Sequence, residues 1–545
     1  MKKNIILLLC ASLLVGCGET KVSSEEESTI EKKYQIDDDG EVIIDGIAPV
    51  KTEDNYRVFY EIFTGSFSDS NGDGYGDIQG IINRLDYLND GDETSGKSLG
   101  VEGIWLTPIF QSPTYHKYDV KDYYKIDPLF GTTENLVELV EKCHERNIKV
   151  ILDMVINHTS IKNAWFEAFA SAHRNDNPED PYYDFYSYYD SSTSGSPSGR
   201  TFNQLSGTTI QYECNFDGNM PELNFDNEAV REEILNVAKY YLDLGVDGFR
   251  FDAAKYIYFG DNVKSAQFWD WYIGELKKYK NDIYTVAEVW DGDAITNIYY
   301  PYIDCFDFTM SQSEGKIADT AKQGNVYNYT SYVQNYLNKI HELNEDSMMM
   351  PFVTNHDMDR AAGFLTPASG NMQMAANLYI LSSGSPFIYY GEEIGMKGSR
   401  SGAPTDADRR LAMLWGDSDT VRNPTGATYP KSSQKNGTVA SQIGDENSLL
   451  NYYKKLIMIR KANPEIARGE YKALRIAGNI GGFIATYDGK SVMVIHNTQN
   501  EEVSFDISLL SSGEFTKLNA SIGLNDATLD GSILTLGAKT SVVLR

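Results

Sequence analysis

Three acidic residues stand where strand-like runs end, and their types suit acid–base chemistry. Asp252, Glu288 and Asp357 each close or directly follow a short apolar run. If these runs are parallel strands of one barrel, the three carboxyl groups converge on the same mouth, where crowding raises at least one pKa. A protonated acid and an ionised carboxylate about 5 Å apart cleave a glycosidic bond with retention, and a third acid can bind ring hydroxyls.

The run Gly248–Asp252 carries an arginine two residues before its acid. Because side chains alternate along a strand, Arg250 and Asp252 share one face, toward the barrel interior, while Phe249 and Phe251 face the surrounding helices. A guanidinium in this position keeps the carboxylate ionised and aimed, as a nucleophile requires. A purely structural salt bridge inside the barrel is the alternative interpretation.

Two histidines lie close to strand ends as well. His158 follows Asp153–Asn157, and His356 directly precedes Asp357. Neither has metal-site spacing to a second His or Cys, so we expect both to be neutral hydrogen-bond donors for sugar hydroxyls. A loop histidine satisfied by its own surroundings is the alternative for His158.

A glycine-rich loop offers oxygen ligands at alternate positions. Asp69, Asn71, Asp73 and Asp77 are interleaved with glycines, a pattern that wraps a hard cation such as Ca²⁺. The loop is not an EF-hand, because a glycine occupies the twelfth position, where Glu is required. A metal-free turn is the alternative; a bound ion would be structural, because the loop brings no catalytic group.

The elements that position these residues are short strands alternating with amphipathic helices, such as Glu134–Arg146 with Leu136, Val137, Val140 and Cys143 on one face. This rhythm predicts βα units around a parallel sheet. The eight candidate strands are Val58–Ile62, Gly103–Leu106, Val150–Ile156, Gly248–Asp252, Ile283–Glu288, Cys305–Phe308, Phe352–Asn355 and Phe387–Tyr390.

Two segments depart from the alternation of strands and helices, and each predicts a further domain. The segment 157–224, rich in Tyr, Ser, Asp and Gly, is far longer than a βα loop and predicts a subdomain inserted after the third strand. After the helix Leu449–Lys461 the pattern becomes alternating strands, which predicts an antiparallel β-sandwich over 467–545. The fold class is thus α/β, a (β/α)8 TIM barrel formed by 51–156 and 225–466.

The first 50 residues predict export rather than structure. Lys2 and Lys3 precede an apolar run, Ile5–Val15, that ends in a segment similar to a lipoprotein lipobox with Cys17 as the lipidated residue. An ordinary signal peptide over 1–17 is the alternative. The acidic stretch 18–50 predicts a solvated tether, so we expect the protein to work outside the cytoplasm, lipid-anchored to a bacterial membrane surface.

Composition excludes several classes of partner. The formal net charge of −30 argues against nucleic acid and anionic lipid headgroups, and it suits a neutral substrate. Hydrophobic residues at 41% suffice for a full core, so wholesale disorder is excluded. The cysteines beyond the signal, Cys143, Cys214 and Cys305, show no disulfide or zinc pattern and predict buried free thiols. We expect a monomer.

Several of these motifs together resemble the α-amylase family, glycoside hydrolase family 13. Asp153–His158, Gly248–Asp252, Glu288 and Phe352–Asp357 are similar to its four conserved regions, in order and spacing, and Met220–Asn224 to a fifth. The resemblance covers about residues 55–545. It implies the barrel, an inserted domain B and a C-terminal β-sandwich.

The resemblance also implies residue roles. Asp252 would be the nucleophile, Glu288 the general acid/base and Asp357 the stabiliser of the transition state. Further implied substrate-binding residues are Tyr118, His158, Arg250, Lys255 and His356, and implied calcium ligands are Asp69, Asn71, Asp73, the Tyr75 carbonyl and Asp77. A second calcium site at the A–B junction is doubtful, because Asn157 matches one ligand but Tyr256 stands where His is common.

Substrate preference depends on fewer residues. Ala253 follows the nucleophile where related oligo-1,6-glucosidases carry Val, and Lys255 matches an α-amylase lysine on the leaving-group side. Both favour endo-type hydrolysis of α-1,4 bonds in starch and maltodextrins. The alternatives are an α-glucosidase or oligo-1,6-glucosidase, a 4-α-glucanotransferase, and a non-catalytic glycan-binding lipoprotein, which would be expected to have lost one of the three acids.

Overall fold

The computed structural model describes residues 34–36, 42–44, 49–400, 405–476, 478–511 and 514–545. The predicted signal segment and Cys17 lie outside these residues, so lipid anchoring stays a prediction. Two short strands, Tyr34–Ile36 and Val42–Ile44, pair antiparallel within the stretch predicted as a tether. Across the described ranges, no helix is long and apolar enough to cross a bilayer.

A parallel barrel forms the centre of the protein, as predicted. Six of its strands pair side by side in the order fifth, fourth, third, second, first, eighth. Their bounds are Phe59–Ile62, Gly103–Leu106, Lys149–Met154, Gly248–Phe251, Tyr284–Ala287 and Phe387–Tyr389.

The predicted sixth and seventh strands are not regular strands. Single parallel bridges close the barrel there: Ala287 with Cys305, Phe306 with Met350, and Phe352 with Phe387. In the seventh segment Pro351 separates the two bridged residues, and proline has no N–H to donate to a ladder. The predicted (β/α)8 architecture is confirmed, with an irregular arc at these two positions.

Helices surround the barrel and pack on its outer face. The predicted helix at 134–146 is observed as Thr133–Glu145, capped by Thr132, and it buries Leu139 rather than Val137. The helices are Ile78–Ile82, Leu85–Leu88, Thr133–Glu145, Ala164–Arg174, Glu228–Asp243, Asn262–Tyr279, Asp293–Tyr299, Lys316–Gln323, Val326–Leu343, Asn371–Ile380, Val439–Gln442, Leu449–Lys461 and Glu465–Arg468.

The insertion after the third strand contains its own small sheet. Ile210–Glu213 is the middle strand, flanked by Tyr188–Asp190 and Phe202–Gln204. An isolated bridge from His158 to Glu222 joins the two ends of the insertion, and a second bridge joins Tyr186, in its middle, to Leu223. The inserted domain is therefore anchored directly beside a predicted site histidine.

The C-terminal region folds as two antiparallel sheets with an apolar layer between them, including Leu474, Met493 and Leu534. The predicted sandwich is confirmed, and its strands include Glu470–Arg475, Leu518–Ile522 and Ala527–Asp530. The other strands are Ile480–Tyr487, Lys490–Asn497, Val503–Asp506, Ile533–Leu536 and Thr540–Leu544.

The packing of Phe249, Arg250 and Phe251 confirms the alternation predicted for the fourth strand. Phe249 and Phe251 belong to the layer between strands and helices, and Phe251 lies 4.8 Å from Trp269, centroid to centroid. Arg250 points the other way, into the barrel. Among the described cysteines, Cys143, Cys214 and Cys305 are buried free thiols.

We expect Gly248→Ala to destabilise the protein strongly. A Cβ at this position would lie 1.8 Å from the Tyr284 backbone oxygen, and the fifth strand cannot retreat without breaking its pairing. Chemical denaturation should show that the free energy of unfolding falls by about 3 kcal/mol. In the helix Asn262–Tyr279, Gly274 has no atom within 4 Å of its ideal Cβ, so Gly274→Ala is the control and should be neutral or stabilising. Equal effects of the two substitutions would contradict this account.

Candidate active site

Arg250 lies at the centre of the predicted catalytic site and is fully buried. Its Nη1 donates to Asp153 Oδ1 at 2.6 Å and to Asp252 Oδ1 at 2.8 Å. Its Nη2 lies 2.9 Å from Glu288 Oε2, and the guanidinium stands 5.0 Å from the centroid of the Trp105 ring. One cation therefore holds carboxyl groups from the third, fourth and fifth barrel strands.

Asp252 and Glu288 differ in their affinity for a proton. Burial raises the pKa of Asp252 to about 6, although Arg250 opposes the rise. Burial raises the pKa of Glu288 to about 7, with the negative charge of Asp252 adding to it. The ion pair expected from the sequence is present, but burial outweighs it, so the pKa of Asp252 rises instead of falling. Asp252 is still the more ionised of the two acids, and Glu288 the more protonated.

The residue after Asp252 has an unusual backbone conformation. Ala253 is left-handed, with φ 49° and ψ 35°, which costs a non-glycine residue about 1–2 kcal/mol. In this conformation its N–H donates to Glu288 Oε2 at 3.0 Å. The turn that follows one acid thus positions the other.

Asp357 is held as an anion by two cations. His356 Nε2 lies 3.1 Å from Asp357 Oδ2, and Arg410 Nη2 donates to Asp357 Oδ1 at 2.6 Å. Burial alone would raise the pKa of Asp357, but His356 and Arg410 bring it far below its usual value. Although burial opposes it, Asp357 and Glu61 raise the pKa of His356 to about 10, with Glu61 Oε1 2.5 Å from Nδ1. The expectation that His356 is a neutral donor is therefore wrong.

Tyr118 and His158 complete the wall around the acids. The Tyr118 hydroxyl donates to Asp153 Oδ2 at 2.9 Å, and its ring stacks on His356 with centroids 5.4 Å apart. Burial lowers the pKa of His158 to about 4, which keeps it neutral as expected. Its buried Nε2 has no hydrogen-bond partner in the protein, although the side chain lines the same cavity as Asp252. This nitrogen is therefore a buried polar atom without a hydrogen-bond partner, close to the acids.

Lys255 does not point freely into the site. Its Nζ donates to the Trp290 carbonyl oxygen at 2.8 Å and to Asp291 Oδ2 at 3.1 Å. The ammonium thus fastens the turn after Asp252 to the segment after Glu288. This geometry supports a positioning role more directly than the substrate contact expected from the sequence.

The acids open into one cavity of about 940 Å³. Asp252, Glu288 and Asp357 line it together with Tyr118 and His158. Sequence reasoning missed other lining residues and their supports, because nothing in local spacing links Arg410 to Asp357 or Glu61 to His356. The additional lining residues include Tyr115, His116, Phe216, Tyr256, Trp290, Asp406 and Arg410.

The five predicted calcium ligands lie in one surface loop. Asp69 Oδ1 and Oδ2 accept from Gly72 and Gly74 N–H groups, both at 2.7 Å, and Asp77 caps the following helix. The donor set is all oxygen, which suits Ca²⁺. Within the ranges that the structure describes, however, no three His, Cys, Asp or Glu side chains gather closely enough to hold a metal. The calcium site stays a prediction.

Known proteins are similar to this chain over most of its length. "Alpha-amylase 3" of Dictyoglomus thermophilum is 35% identical, covering 82% of this chain and 86% of its own. An oligo-1,6-glucosidase of Bacillus sp. (strain F5) is 29% identical, covering 80% and 98%. Among solved structures, "Eubacterium rectale Amy13B" superposes with a TM-score of 0.84 at 36% identity, covering 91% of this chain and 97% of its own.

The family model described as the α-amylase catalytic domain matches residues 61–469. This match covers nearly all of the barrel, the inserted domain and the three acids Asp252, Glu288 and Asp357. With the relatives above, it shows that the chain belongs to the α-amylase family, glycoside hydrolase family 13.

Proposed function

We propose that the protein hydrolyses α-1,4-glucosidic bonds within starch and maltodextrins, with retention of configuration. The observation that carries the proposal is the pair formed by Asp252 and Glu288 on the two terminal nitrogens of Arg250, with the higher pKa on Glu288. Retaining glycosidases need two close carboxyl groups, one of them able to donate a proton.

The geometry supports a double displacement. Glu288 gives its proton to the glycosidic oxygen while the Asp252 oxygen that Arg250 does not hold attacks the anomeric carbon. The bond to the leaving chain breaks, and a glycosyl ester forms on Asp252. Water then attacks the same carbon, Glu288 takes the proton of that water, and Asp252 leaves as a carboxylate. The anionic Asp357 stabilises the positive charge that the sugar ring develops in both steps.

The size of the cavity, about 940 Å³, supports an endo-type cut. Besides the acids it is lined by Tyr115, Asp406, Arg410, Phe216 and Tyr256. A cavity of this size has room for more than one sugar unit, as a chain that continues past the scissile bond requires. The relatives carry both α-amylase and oligo-1,6-glucosidase activities, so exo-acting or α-1,6-specific hydrolysis is the alternative, with glucanosyl transfer as another.

Products from maltoheptaose test the proposal. We expect maltotriose and longer products early, and a loss of at least about 10³-fold in kcat for Asp252→Asn. Exposed Asp86, which pairs with Arg146, provides the matched control, and Asp86→Asn should keep full activity. Glucose as the sole early product would contradict endo-type hydrolysis, and products longer than the substrate would support transfer. Full activity of Asp252→Asn would refute the assigned chemistry.

The pH dependence should be bell-shaped. Activity rises as Asp252 ionises through about pH 6 and falls as Glu288 loses its proton through about pH 7. The check is kcat/KM on maltoheptaose from pH 4 to 9. With α-maltosyl fluoride, whose leaving group needs no proton, the alkaline limb should weaken. An alkaline limb of equal strength on both substrates would contradict the role of Glu288.

We also propose that the loop Asp69–Asp77 binds structural Ca²⁺, on the strength of its oxygen donors. At hundredfold excess over Kd, bound calcium should add about 3 kcal/mol to stability. Chelator should therefore lower Tm, and added Ca²⁺ should restore it, while an Asp69→Asn, Asp73→Asn double variant should respond to neither. A Tm of the unmodified protein that does not change with chelator would refute the site.

A further inference from the structure

Glu61 is a buried carboxyl group that takes no direct part in the proposed reaction. It lies on the first barrel strand, Phe59–Ile62, and is 1% exposed. Along this strand Phe59 belongs to the apolar cluster inside the barrel, whereas Tyr60 and Ile62 belong to the layer between strands and helices. Because side chains alternate along a strand, Glu61 points into the barrel, as Phe59 does. A carboxyl group buried there needs a polar partner.

The partner of Glu61 is His356, the residue that directly precedes Asp357. Glu61 Oε1 lies 2.5 Å from His356 Nδ1 and also accepts from the His356 backbone N–H at 3.3 Å. On the other side of the ring, Nε2 lies 3.1 Å from Asp357 Oδ2 and 2.5 Å from the Tyr118 hydroxyl oxygen. Oxygen atoms that can accept a hydrogen bond thus stand at both ring nitrogens. Only the imidazolium form of histidine donates from both nitrogens.

The charges around the ring favour the imidazolium form. Although burial opposes it, Asp357 and Glu61 raise the pKa of His356 to about 10. Burial raises the pKa of Glu61 above its usual value, and His356 limits that rise. Removing the charge of Glu61 would leave Asp357 as the main group that offsets the burial of the ring. The charged and titratable groups around the ring and its partners are Glu61, Tyr118, Asp153, Arg250, Asp357 and Arg410.

His356 contacts both walls of the catalytic site. It holds Asp357 directly, and the Tyr118 hydroxyl, which lies at its Nε2, donates to Asp153 Oδ2 at 2.9 Å. The other oxygen of Asp153 accepts from Arg250, the cation at the centre of the acids. Tyr118 and Asp357 line the cavity, whereas His356 is fully buried behind them. The charge of one buried ring therefore acts on both sides of the site.

We propose that Glu61 is a positioning residue that keeps His356 charged, and that the charged ring fixes Asp357 and Tyr118 against the sugar under attack. The proposal rests on the proposed function and deepens it. With Glu61 ionised, Nδ1 keeps its proton, so Nε2 must carry the proton that Asp357 accepts. A neutral ring would be free to leave Nε2 without a proton, and its lone pair would then repel the carboxylate of Asp357.

The test removes the charge of Glu61 and keeps the shape of its side chain. In Glu61→Gln, His356 should lose its proton at a lower pH than in the unmodified protein. On α-maltosyl fluoride, whose leaving group needs no proton, kcat of Glu61→Gln should therefore fall about tenfold between pH 7 and pH 9, whereas kcat of the unmodified protein should change less than about threefold.

Glu102→Gln is the matched control. Glu102 is also 1% exposed, but it precedes the second strand and so lies at the opposite end of the barrel from the acids. Its substitution should leave the pH profile unchanged, whatever its effect on stability. A loss of kcat in Glu61→Gln that is equal at every pH, or no loss, would overturn the proposed role of Glu61.

The charge of His356 is also measurable in the unmodified protein, so the proposal does not depend on the folding of Glu61→Gln. With ¹⁵N-labelled histidine, the ring signals of His356 can be assigned by their loss in His356→Asn. At pH 8 both ring nitrogens should carry protons, and in Glu61→Gln only one should. A neutral His356 ring at pH 8 in the unmodified protein would overturn the proposal. An unmodified protein inactive on both maltoheptaose and α-maltosyl fluoride would instead refute the proposed function, and the nitrogen spectra would still judge the role of Glu61.

Discussion

The structure depends on one buried cation inside the barrel. Arg250 is surrounded by Asp153, Asp252 and Glu288, and a charge of either sign left alone in that interior would cost several kcal/mol. The cation makes it possible to bury the carboxyl groups, and burial in turn raises their pKa values toward neutrality. The surrounding frame serves this cluster: Gly248 lets the strands close tightly, and Trp105 lies against the guanidinium.

A second charge network governs the opposite wall. Glu61 from the first strand favours the protonated form of His356, and His356 together with Arg410 keeps Asp357 anionic. The two networks set opposite protonation states in one cavity. The buried cluster around Arg250 favours a protonated Glu288, whereas His356 and Arg410 keep Asp357 ionised. That contrast is what a glycosidase requires, because the same reaction needs a proton donor and a stable anion.

The sequence predicted the barrel, the inserted domain and the sandwich because strand ends, loop lengths and alternation are local properties. It also predicted that Asp252, Glu288 and Asp357 lie at one mouth of the barrel, and they do line one cavity, since acids at strand ends can be recognised one at a time. It failed where the outcome depended on contacts between distant segments. The charge on His356 comes from Glu61, nearly three hundred residues away. Regular sixth and seventh strands were expected from their apolar runs, whereas the structure has only single bridges there, and in the seventh segment Pro351 has no N–H to donate.

The raised pKa values of the carboxyl groups around Arg250 also make the stability of the fold depend on pH. Asp153, Asp252 and Glu288 keep protons in the folded chain that an unfolded chain would release from about pH 4 upward. Their contribution to folding therefore becomes less favourable as pH rises to about 7, while Asp357 acts in the opposite sense only in strong acid. Mildly acidic pH consequently favours both the folded chain and the protonated form of Glu288. The pH range that stabilises the fold therefore overlaps with the range in which Glu288 can donate a proton.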